Sequence, residues 1–421
     1  MAIGVGFIER KLMPEEIREV VTAAAAQMQV GGKRVLVIIP DGTRTMPMPM
    51  LFEMLQEEVG GRAAVCDYLV ALGTHRLMSD AQLSALVGQP VVNRKCDAAQ
   101  VVNHHWDLPE TFADIGTIPA DEVARISGGL LEEAIPVRIN RMALEYDQVL
   151  ICGPVFPHEV VGFSGGNKYL FPGISGPEMI GQTHWLGALM GSYEIIGTQT
   201  TPVREMIDTA AGMVKTPVAC LALVVTHEGV NGVYFGSAQA AWKAAAELSS
   251  QIHVNWVERP LQRVLSVMPT LYADLWTAAK GMYKVEPAVA DGGEVVIYAP
   301  HITEVSYTHG AEIDRIGYHC RDYFVKQWER FKDEPRGVLA HSTHLRGKGT
   351  YDAAAGVEMP RIKVTLATGI SEERCRRLNL GYLDPATVRV KEWRDREGDG
   401  VKLIARAGET LYRLKDTAKP A

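Results

Sequence analysis

The sequence has few of the features that mark specialised classes of protein. Only six cysteines occur in 421 residues, without C-x-x-C spacing. This argues against both a disulfide framework and a zinc site built from cysteine pairs. No apolar run approaches the length of a transmembrane helix, and the segment Met1 to Glu16 lacks a basic region followed by a long apolar one. We therefore expect free buried thiols, a cytoplasmic location and no membrane contact.

An excess of positive charge is also absent. The formal net charge is −7, and no stretch is dominated by lysine and arginine. Nucleic-acid surfaces need such local dominance, so we expect no nucleic-acid partner. The composition, 47% hydrophobic and 22% charged, is that of an ordinary globular protein, and 421 residues predict two domains rather than one.

Complete nucleotide-binding motifs are missing, although one segment comes close. No G-x-G-x-x-G opens a helix, and the glycine-rich stretch from Gly162 to Lys168 is not a P-loop, because Tyr169 stands where Ser or Thr should follow the lysine. Its glycines nevertheless allow backbone amides to turn toward an anion, with Lys168 adding a point charge. The alternative is a tight glycine turn with a solvated lysine.

Continuous apolar runs indicate strands that are buried on both faces, which predicts parallel sheets covered by helices. The clearest runs are Val35 to Pro40, Ala63 to Gly73, Val218 to Thr226, Gly292 to Pro300 and Ile362 to Gly369. We predict an α/β fold of two domains, each with a mostly parallel sheet flanked by helices, and an active site in the interdomain cleft. The sequence pattern changes near Pro260, where a proline precedes the next apolar run. We therefore place the boundary between residues 262 and 263, which gives domains 1–262 and 263–421.

Polar side chains follow the first two predicted strands, where open α/β sheets bind ligands. Thr43 has a hydroxyl and Arg44 has several guanidinium N–H donors, and both are suited to binding a phosphate. Asp41 is a candidate cap for the next helix. Arg76 follows the second strand and has the planar geometry to bind a carboxylate through two hydrogen bonds. The alternative for Arg76 is a surface salt bridge.

Histidines are the candidates for proton transfer or metal binding. His104 and His105 are adjacent on an extended segment, so only one of them is expected to face a given side. His158 lies ten residues before Lys168 and His184 sixteen after it, a spacing unlike structural zinc sites. Any metal shared by them would be completed through the fold or by a non-protein ligand. A hydrogen-bonded structural role is the alternative for either His104 or His105.

The second half offers weaker candidates. The loop from His301 to Gly310 carries two histidines, a glutamate and several hydroxyls, which are able to bind extra hydroxyl groups of a substrate or simply to cap the next helix and face water. Lys284 follows a predicted helix. His341 and His344 are three residues apart, but Ser, Thr and Gly around them indicate a loop, so we predict no metal site there.

Four segments together resemble one family. PHEVVGFSGGNKYLFPGISGPEMIGQTHW from Pro157, PDGTRTMP from Pro40, GTHR from Gly73 and NHHWDLPETFADIGTI from Asn103 are similar to the nickel-pincer lactate racemases, the LarA-like racemases and epimerases of 2-hydroxy acids. The resemblance covers the first half of the chain. The second half matches loosely, and the loop at His301 departs from the glycine-richer loop of lactate racemases.

The resemblance implies a cofactor and a role for each site residue. The cofactor would be a nickel-pincer nucleotide, the pyridinium-3-thioamide-5-thiocarboxylic acid mononucleotide, joined to Lys168 and made by separate cofactor-synthesis enzymes. His184 would bind the nickel, and His104 and His158 would be the catalytic acid–base pair. The phosphate would be held by Asp41, Thr43, Arg44, Gly165 and Gly166, and the substrate by Arg76, His301, Thr303 and Lys284. The N-terminal domain would carry these cofactor and catalytic motifs, and the C-terminal domain would close over the substrate.

The implied reaction is inversion at C2 of a small-molecule 2-hydroxy acid. The adjacent carboxylate disfavours loss of the C2 hydrogen as a proton, so hydride transfer to and from a cofactor is expected, through a planar 2-keto acid. The polar loop at His301 favours a larger hydroxylated acid, such as an aldonate, over lactate. Two alternatives stay open: a zinc-dependent hydrolase or lyase using the histidines, and a non-catalytic binder of a nucleotide or sugar phosphate.

Overall fold

The computed structural model describes residues 2–415 and divides the chain into two compact units. The first unit comprises Met1–Phe156, Phe163–Thr183 and Gln199–Ile252, and the second comprises Pro157–Gly162, His184–Thr198 and His253–Ala421. The sequence predicts a single boundary after residue 262, whereas two short segments of the N-terminal half belong to the second unit. Apolar runs predict strands, but they do not show with which unit the intervening loops pack. Met1 and residues 416–421, at the ends of the predicted domains, lie outside the described residues.

The first unit is built on one large sheet. Within the described residues this sheet has eight strands, and its five central strands run parallel, with antiparallel strands at both edges. In spatial order the strands are Ile3–Gly6, Gly229–Gly236, Val218–Thr226, Gln148–Pro154, Arg34–Pro40, Val65–Ala71, Ala99–Asn103 and Lys95–Cys96. The predicted parallel sheet is confirmed.

Helices cover this sheet because its central strands are apolar on both faces. Buried side chains of Pro14–Met28, Met48–Leu55 and Asp80–Val87 pack with those of the strands in one continuous core. The helix at Asp80 begins as predicted, since the Ser79 hydroxyl accepts a hydrogen bond from the Gln82 amide at 3.3 Å. The remaining helices of the unit are Ala120–Ser127, Met142–Glu145, Pro202–Ala211 and Ala238–Ile252, and a π-helical turn, Gln56–Gly60, extends the second helix.

A hairpin of Phe112–Ile118 and Ile135–Asn140 completes the first unit. The helix Pro177–Met190 belongs to the first unit up to Thr183 and to the second unit from His184. Two-residue strands at Pro157–His158 and Gly162–Phe163 precede it.

The second unit contains a smaller sheet whose five described strands are all parallel. In spatial order they are Gly381–Tyr382, Lys363–Thr368, Val289–Ala299, Leu261–Val267 and Val401–Ile404. Two further strand pairs are Val254–Val257 with Leu411–Leu414, and Gly349–Asp352 with Val357–Pro360. The helices are Ser192–Ile195, Leu275–Ala278, Lys280–Tyr283, Gly310–Ile316, Arg321–Val325, Trp328–Phe331, Arg336–Arg346 and Glu372–Arg377.

Two features of composition reappear in the fold. The cysteines are buried free thiols, as the sequence predicts. In the described part of the chain, no helix combines the length and the apolar character needed to cross a membrane.

Candidate active site

In the first unit, the residues after strand Arg34–Pro40 form a hydrogen-bonded chain. The Thr43 hydroxyl donates to Asp41 Oδ1 at 2.6 Å, and Arg44 Nη1 donates to the Thr43 hydroxyl at 2.7 Å. The Thr43 amide also donates to Asp41 Oδ1, at 3.1 Å. These bonds fix the turn at the carboxyl edge of the sheet and place a hydroxyl beside a guanidinium.

His75 joins this network from the neighbouring strand. Its Nδ1 lies 2.5 Å from Asp41 Oδ2. Burial alone would raise the pKa of Asp41, but the charge of His75 and its hydrogen bond, aided by Arg44 and Thr43, hold that pKa well below its usual value. Asp41 is therefore ionised at neutral pH. The sequence signal for His75 was its position in GTHR, directly after a strand, but the predicted site residue there was Arg76, which is exposed.

The glycine-rich segment is a rigid turn. Gly165 has φ of +81° and Gly166 has φ of +60°, and residues Gly166–Tyr169 form one 3-10 turn that carries Lys168. A Cβ on Gly165 would lie 2.5 Å from Val155 Cγ2, and one on Gly166 would lie 2.9 Å from Trp242 Cβ. Both glycines are therefore required by backbone conformation and by close packing.

Two buried side chains that the sequence did not single out hold this turn. Arg204 donates to the carbonyls of Phe163 and Gly165, the latter at 3.1 Å, and Trp242 Nε1 donates to the Ser164 carbonyl at 2.8 Å. The Arg204 guanidinium also lies over the Trp242 ring, 4.3 Å from its centroid. Burial lowers the pKa of Arg204 to about 10, which leaves it charged at neutral pH. Lys168 thus projects, half-buried, from a turn with little freedom.

His104 follows strand Ala99–Asn103 and is fully buried. Its Nδ1 lies 3.1 Å from Asn140 Nδ2, and its ring packs edge-on against Phe112, with 5.6 Å between centroids. Among the described residues, His104 Nε2 has no hydrogen-bond partner. Burial lowers the pKa of His104 to about 4, against a smaller opposite effect of the Ser175 backbone. This imidazole is neutral at physiological pH.

The second histidine of the pair is placed differently. His105 is only partly buried, and its Nδ1 lies 3.3 Å from Asp107 Oδ1. The two rings therefore have separate surroundings, as the extended backbone predicts.

In the second unit, His158 is buried beside Glu159. The Val160 amide donates to His158 Nδ1 at 3.1 Å, and Glu159 Oε2 lies 3.2 Å from the same nitrogen. The backbone amide is a donor in a fixed position, whereas the carboxylate is able to rotate, so we assign Nδ1 as an acceptor in the neutral ring.

A second group in this unit gathers around His341. Its ring stacks on Trp276 at 3.8 Å between centroids, and His309 packs on the same indole at 4.7 Å. Burial lowers the pKa of His341 well below its usual value, and positive charge on His344, His309, Lys280 and His184 adds to the effect. His184 and the buried Lys280 therefore lie near His341, a proximity that the sequence did not indicate.

The predicted loop around His341 and His344 is wrong. Both residues lie on the helix Arg336–Arg346, whose Val338, Leu339 and Leu345 are buried. Ser, Thr and Gly in this segment indicated a loop, but burial of its apolar residues outweighs their weak helix propensity. Three residues apart on a helix, the two histidines lie on neighbouring positions.

The remaining predicted substrate residues lie elsewhere in the second unit. His301 and Thr303 are exposed, and His301 Nε2 lies 3.1 Å from the Tyr272 carbonyl. Lys284 is fully buried, and its ammonium donates to the Glu409 carbonyl at 2.8 Å. Lys280, one helical turn earlier, is the lysine beside the histidines.

Several polar groups of the loop from His301 to Gly310 are bonded within the second unit. Glu304 accepts a hydrogen bond from Arg374 at 3.1 Å, and the Ser306 hydroxyl accepts from the amides of Thr308 and His309. The loop therefore does not by itself need additional hydroxyl groups from a substrate.

Within residues 2–415, no group of three or more His, Cys, Asp or Glu side chains has an arrangement suited to a metal ion.

Similarity to a known family model is confined to the N-terminal half of the chain. Residues 9–195 match the family model described as the lactate racemase N-terminal domain. This range includes every predicted catalytic, cofactor and metal residue. It excludes Lys284, His301 and Thr303.

Two curated relatives and two solved structures are similar to the chain. Lactate racemases of Thermoanaerobacterium thermosaccharolyticum and Lactiplantibacillus plantarum are 29% and 25% identical over 73% and 68% of this chain. The match spans just under two thirds of their lengths, 66% and 65%. A crystal structure of a Thermotoga maritima protein is 34% identical, covers 98% of this chain and 100% of its own, and has a TM-score of 0.90. The lactate racemase apoprotein of T. thermosaccharolyticum has the same coverage, 22% identity and a TM-score of 0.71, which shows a shared fold.

Proposed function

The chain belongs to the lactate racemase, or LarA-like, family, and on that premise we propose that it inverts the configuration at C2 of a 2-hydroxy acid. The observation that carries the proposal is the first unit's combination of a lysine on a rigid glycine turn with a buried, neutral histidine. The segments that carry the two residues are linked through Asn140, whose side chain contacts His104 and whose backbone amide donates to the carbonyl of Ile174, six residues after Lys168.

The residues of the first unit fit a tethered nucleotide. A half-buried lysine on a fixed turn suits a covalent amide-type link, and Thr43 with Arg44 suits a phosphate. Asp41 is ionised and would repel a phosphate, so its proposed part is to orient Thr43 and His75. Gly165 and Gly166 would bring the backbone close to the nucleotide by shaping the turn.

A nickel-pincer nucleotide, bound through Lys168 with His184 as the protein ligand of nickel, would supply an acceptor able to take a hydride from C2 and return it. An imidazole is a natural ligand for Ni(II). The other steps belong to side chains of the protein.

Proton transfer to and from the substrate oxygen is the proposed role of His104 and His158. The two enantiomers present their hydroxyls differently, so two groups are needed. In each ring Nδ1 faces a donor within the protein, so Nε2 is the nitrogen that would exchange a proton with substrate. Burial of His104 keeps it uncharged. For Nε2 to accept the hydroxyl proton, the hydrogen of the neutral ring has to lie on Nδ1 at that moment.

The substrate carboxylate needs a positive partner. We propose Lys280 for this role in addition to the predicted Arg76, because Lys280 is buried near the histidines around His341. The sequence predicts Lys284 for this role. The ammonium of Lys284 donates to the Glu409 carbonyl at 2.8 Å, and that of Lys280 donates to the Thr277 carbonyl at 3.2 Å. His301 and Thr303 remain candidates for contacts at the exposed end of a longer substrate.

Intact-mass measurement tests the tethered cofactor. The chain would be co-expressed with the enzymes that make the nickel-pincer nucleotide, alongside Lys168→Ala and the exposed-lysine control Lys215→Ala. We expect an added mass on the parent chain and on the control, and none on Lys168→Ala. A parent chain that carries no adduct yet racemises its substrate would contradict the proposal.

A panel of enantiopure 2-hydroxy acids, offered to the nickel-loaded protein, tests the substrate class. Lactate and aldonates such as gluconate are the informative members. We propose that the larger hydroxylated acids are turned over at least as well as lactate, with the group of Trp276, His309 and His341 rings as the proposed contact for a longer chain.

A further inference from the structure

The hydrogen bonds around Asn140 determine which nitrogen of His104 carries the proton. Asn140 ends the strand Ile135–Asn140 and is buried. Its Oδ1 accepts the backbone N–H of Met142 at 3.1 Å. A backbone N–H is only a donor, so the amide oxygen must face Met142, and the amide nitrogen must face His104.

The orientation of this amide fixes the histidine. Asn140 Nδ2 lies 3.1 Å from His104 Nδ1, and an amide nitrogen has no lone pair to offer. His104 Nδ1 must therefore be the acceptor. A neutral imidazole has one donor and one acceptor nitrogen, so the proton resides on Nε2, which is the buried atom without a hydrogen-bond partner among the described residues.

We infer that Asn140 is a positioning residue, which holds neutral His104 as the tautomer protonated at Nε2 and exchanges its amide groups when that ring changes protonation state. The consequence for turnover rests on the proposed function, whereas the tautomer itself does not. Neither the fold nor the family match assigns a part to Asn140.

The chemistry explains why an amide suits this position. To accept a proton at Nε2, His104 must carry its hydrogen on Nδ1, and the resulting imidazolium then has N–H groups at both positions. Asn140 serves these states by turning its oxygen toward Nδ1, at the cost of the bond to Met142. A carboxylate would offer only acceptors, and an aliphatic side chain would offer neither group.

The surroundings of His104 leave this assignment to Asn140. The charged groups that act on the ring are His105 and Asp107, which lie close to each other on the same loop. Phe112 packs against the ring from another segment, and the Ser175 backbone accepts a hydrogen bond from the ring, an interaction that raises the His104 pKa without contributing a charge. Asn140 is therefore the side chain best placed to set the proton position.

Nitrogen NMR of the cofactor-free chain tests the inference. With ¹⁵N-labelled histidine, and His104→Gln to identify the resonances, we expect His104 Nδ1 to be of the unprotonated type and Nε2 of the protonated type near neutral pH. In Asn140→Asp the pattern should reverse, and the titration midpoint of His104 should rise by about 1 pH unit or more, because a carboxylate favours Nδ1–H and the imidazolium. Asn140→Leu should give a mixture of tautomers.

Asn231→Asp is the matched control. Asn231 is a buried asparagine of the same unit, bonded to the carbonyls of Phe7, Ile8 and Arg10. Its variant should leave the His104 signals unchanged.

Two results would overturn the inference. One is a parent chain with the proton on Nδ1, a measurement that needs no variant to fold. The other is a folded Asn140→Asp with an unaltered tautomer and midpoint. In loaded enzyme, Asn140→Leu should lower kcat by about tenfold or more with little change in KM. If the NMR results hold but His104→Gln is fully active, the positioning inference survives and the proposed role of His104 fails.

Discussion

At the scale of single residues, burial and hydrogen-bond partners give the histidines their chemistry. His104 is uncharged because its ring is removed from water, and His158 is oriented by a backbone amide. Asp41 is ionised because His75, Arg44 and Thr43 surround it. Groups with such altered protonation are typical of active sites, although structural networks show them as well.

Replacement of the two proposed acid–base residues should separate catalysis from folding. His104→Ala and His158→Ala should each lower kcat by about a hundredfold or more, because positioned proton transfer contributes that much. Circular dichroism should show folded protein. His227→Ala, which removes an exposed histidine, should retain activity. Full activity in both site variants would rule out the pair.

At the scale of elements, the Lys168 turn depends on Arg204. Arg204→Met should destabilise the protein by about 3–5 kcal/mol, since two buried carbonyls lose a charged donor. Urea unfolding would measure this change, and hydrogen exchange should increase in the segment Gly162–Tyr169. Arg125→Met, which removes exposed ion pairs with Glu122 and Glu205, should cost less than about 1 kcal/mol. Equal effects of the two variants would contradict a special role for Arg204.

His344, which is buried on the helix Arg336–Arg346, should make the stability of the protein depend on pH. Burial lowers the pKa of His344 to about 4, from 6.5. As pH falls from 6.5 toward 4, the unfolded chain binds a proton that the folded chain does not. The contribution of neutral His344 to the free energy of unfolding is therefore fully present above pH 6.5 and is lost progressively within this window. The loss is up to about 1.4 kcal/mol per pH unit for this residue.

His344→Gln should therefore flatten the fall in unfolding free energy between pH 6.5 and 4. The exposed His227→Gln is the control and should leave the slope unchanged. Parallel curves for the parent chain and His344→Gln would show that His344 titrates alike in both states.

The elements were largely predictable, while the partners of the site were not. Runs such as Val35 to Pro40 form buried parallel strands, because a short apolar stretch between glycine and polar turn residues is removed from water most readily as a central strand of a sheet. The Ser79 cap was also predictable, because a helix cap depends only on residues that are close in the sequence. By contrast, Arg204 lies 36 residues after Lys168, and Asn140 lies 36 after His104. No local pattern links such pairs, because only the tertiary fold brings them together.

The helix around His341 shows the opposite error. Local composition there favoured a loop, but tertiary burial of the helix decided the outcome. The proximity of Lys280 to His341 was likewise not predictable, because two lysines four residues apart in the sequence differ only in what packs against each one.

At the scale of the whole molecule, family similarity and predicted chemistry coincide in the first half of the chain. The family model ends at residue 195, and the acid–base, tether and phosphate candidates all precede that point. Contacts in the second unit, including those of Trp276, His309 and His341, lie outside it. We therefore expect relatives to share the inversion chemistry and to differ in the acids that they accept.

The central claim is that the hydrogen of C2 leaves and returns without passing through water. The most direct test is turnover, in ordinary water, of an enantiopure 2-hydroxy acid deuterated at C2, with the product analysed by mass spectrometry after partial conversion. We predict that the inverted product keeps its deuterium at C2, whereas a proton-abstracting enzyme would exchange it with solvent. Inverted product that contains only solvent hydrogen at C2 would contradict the account.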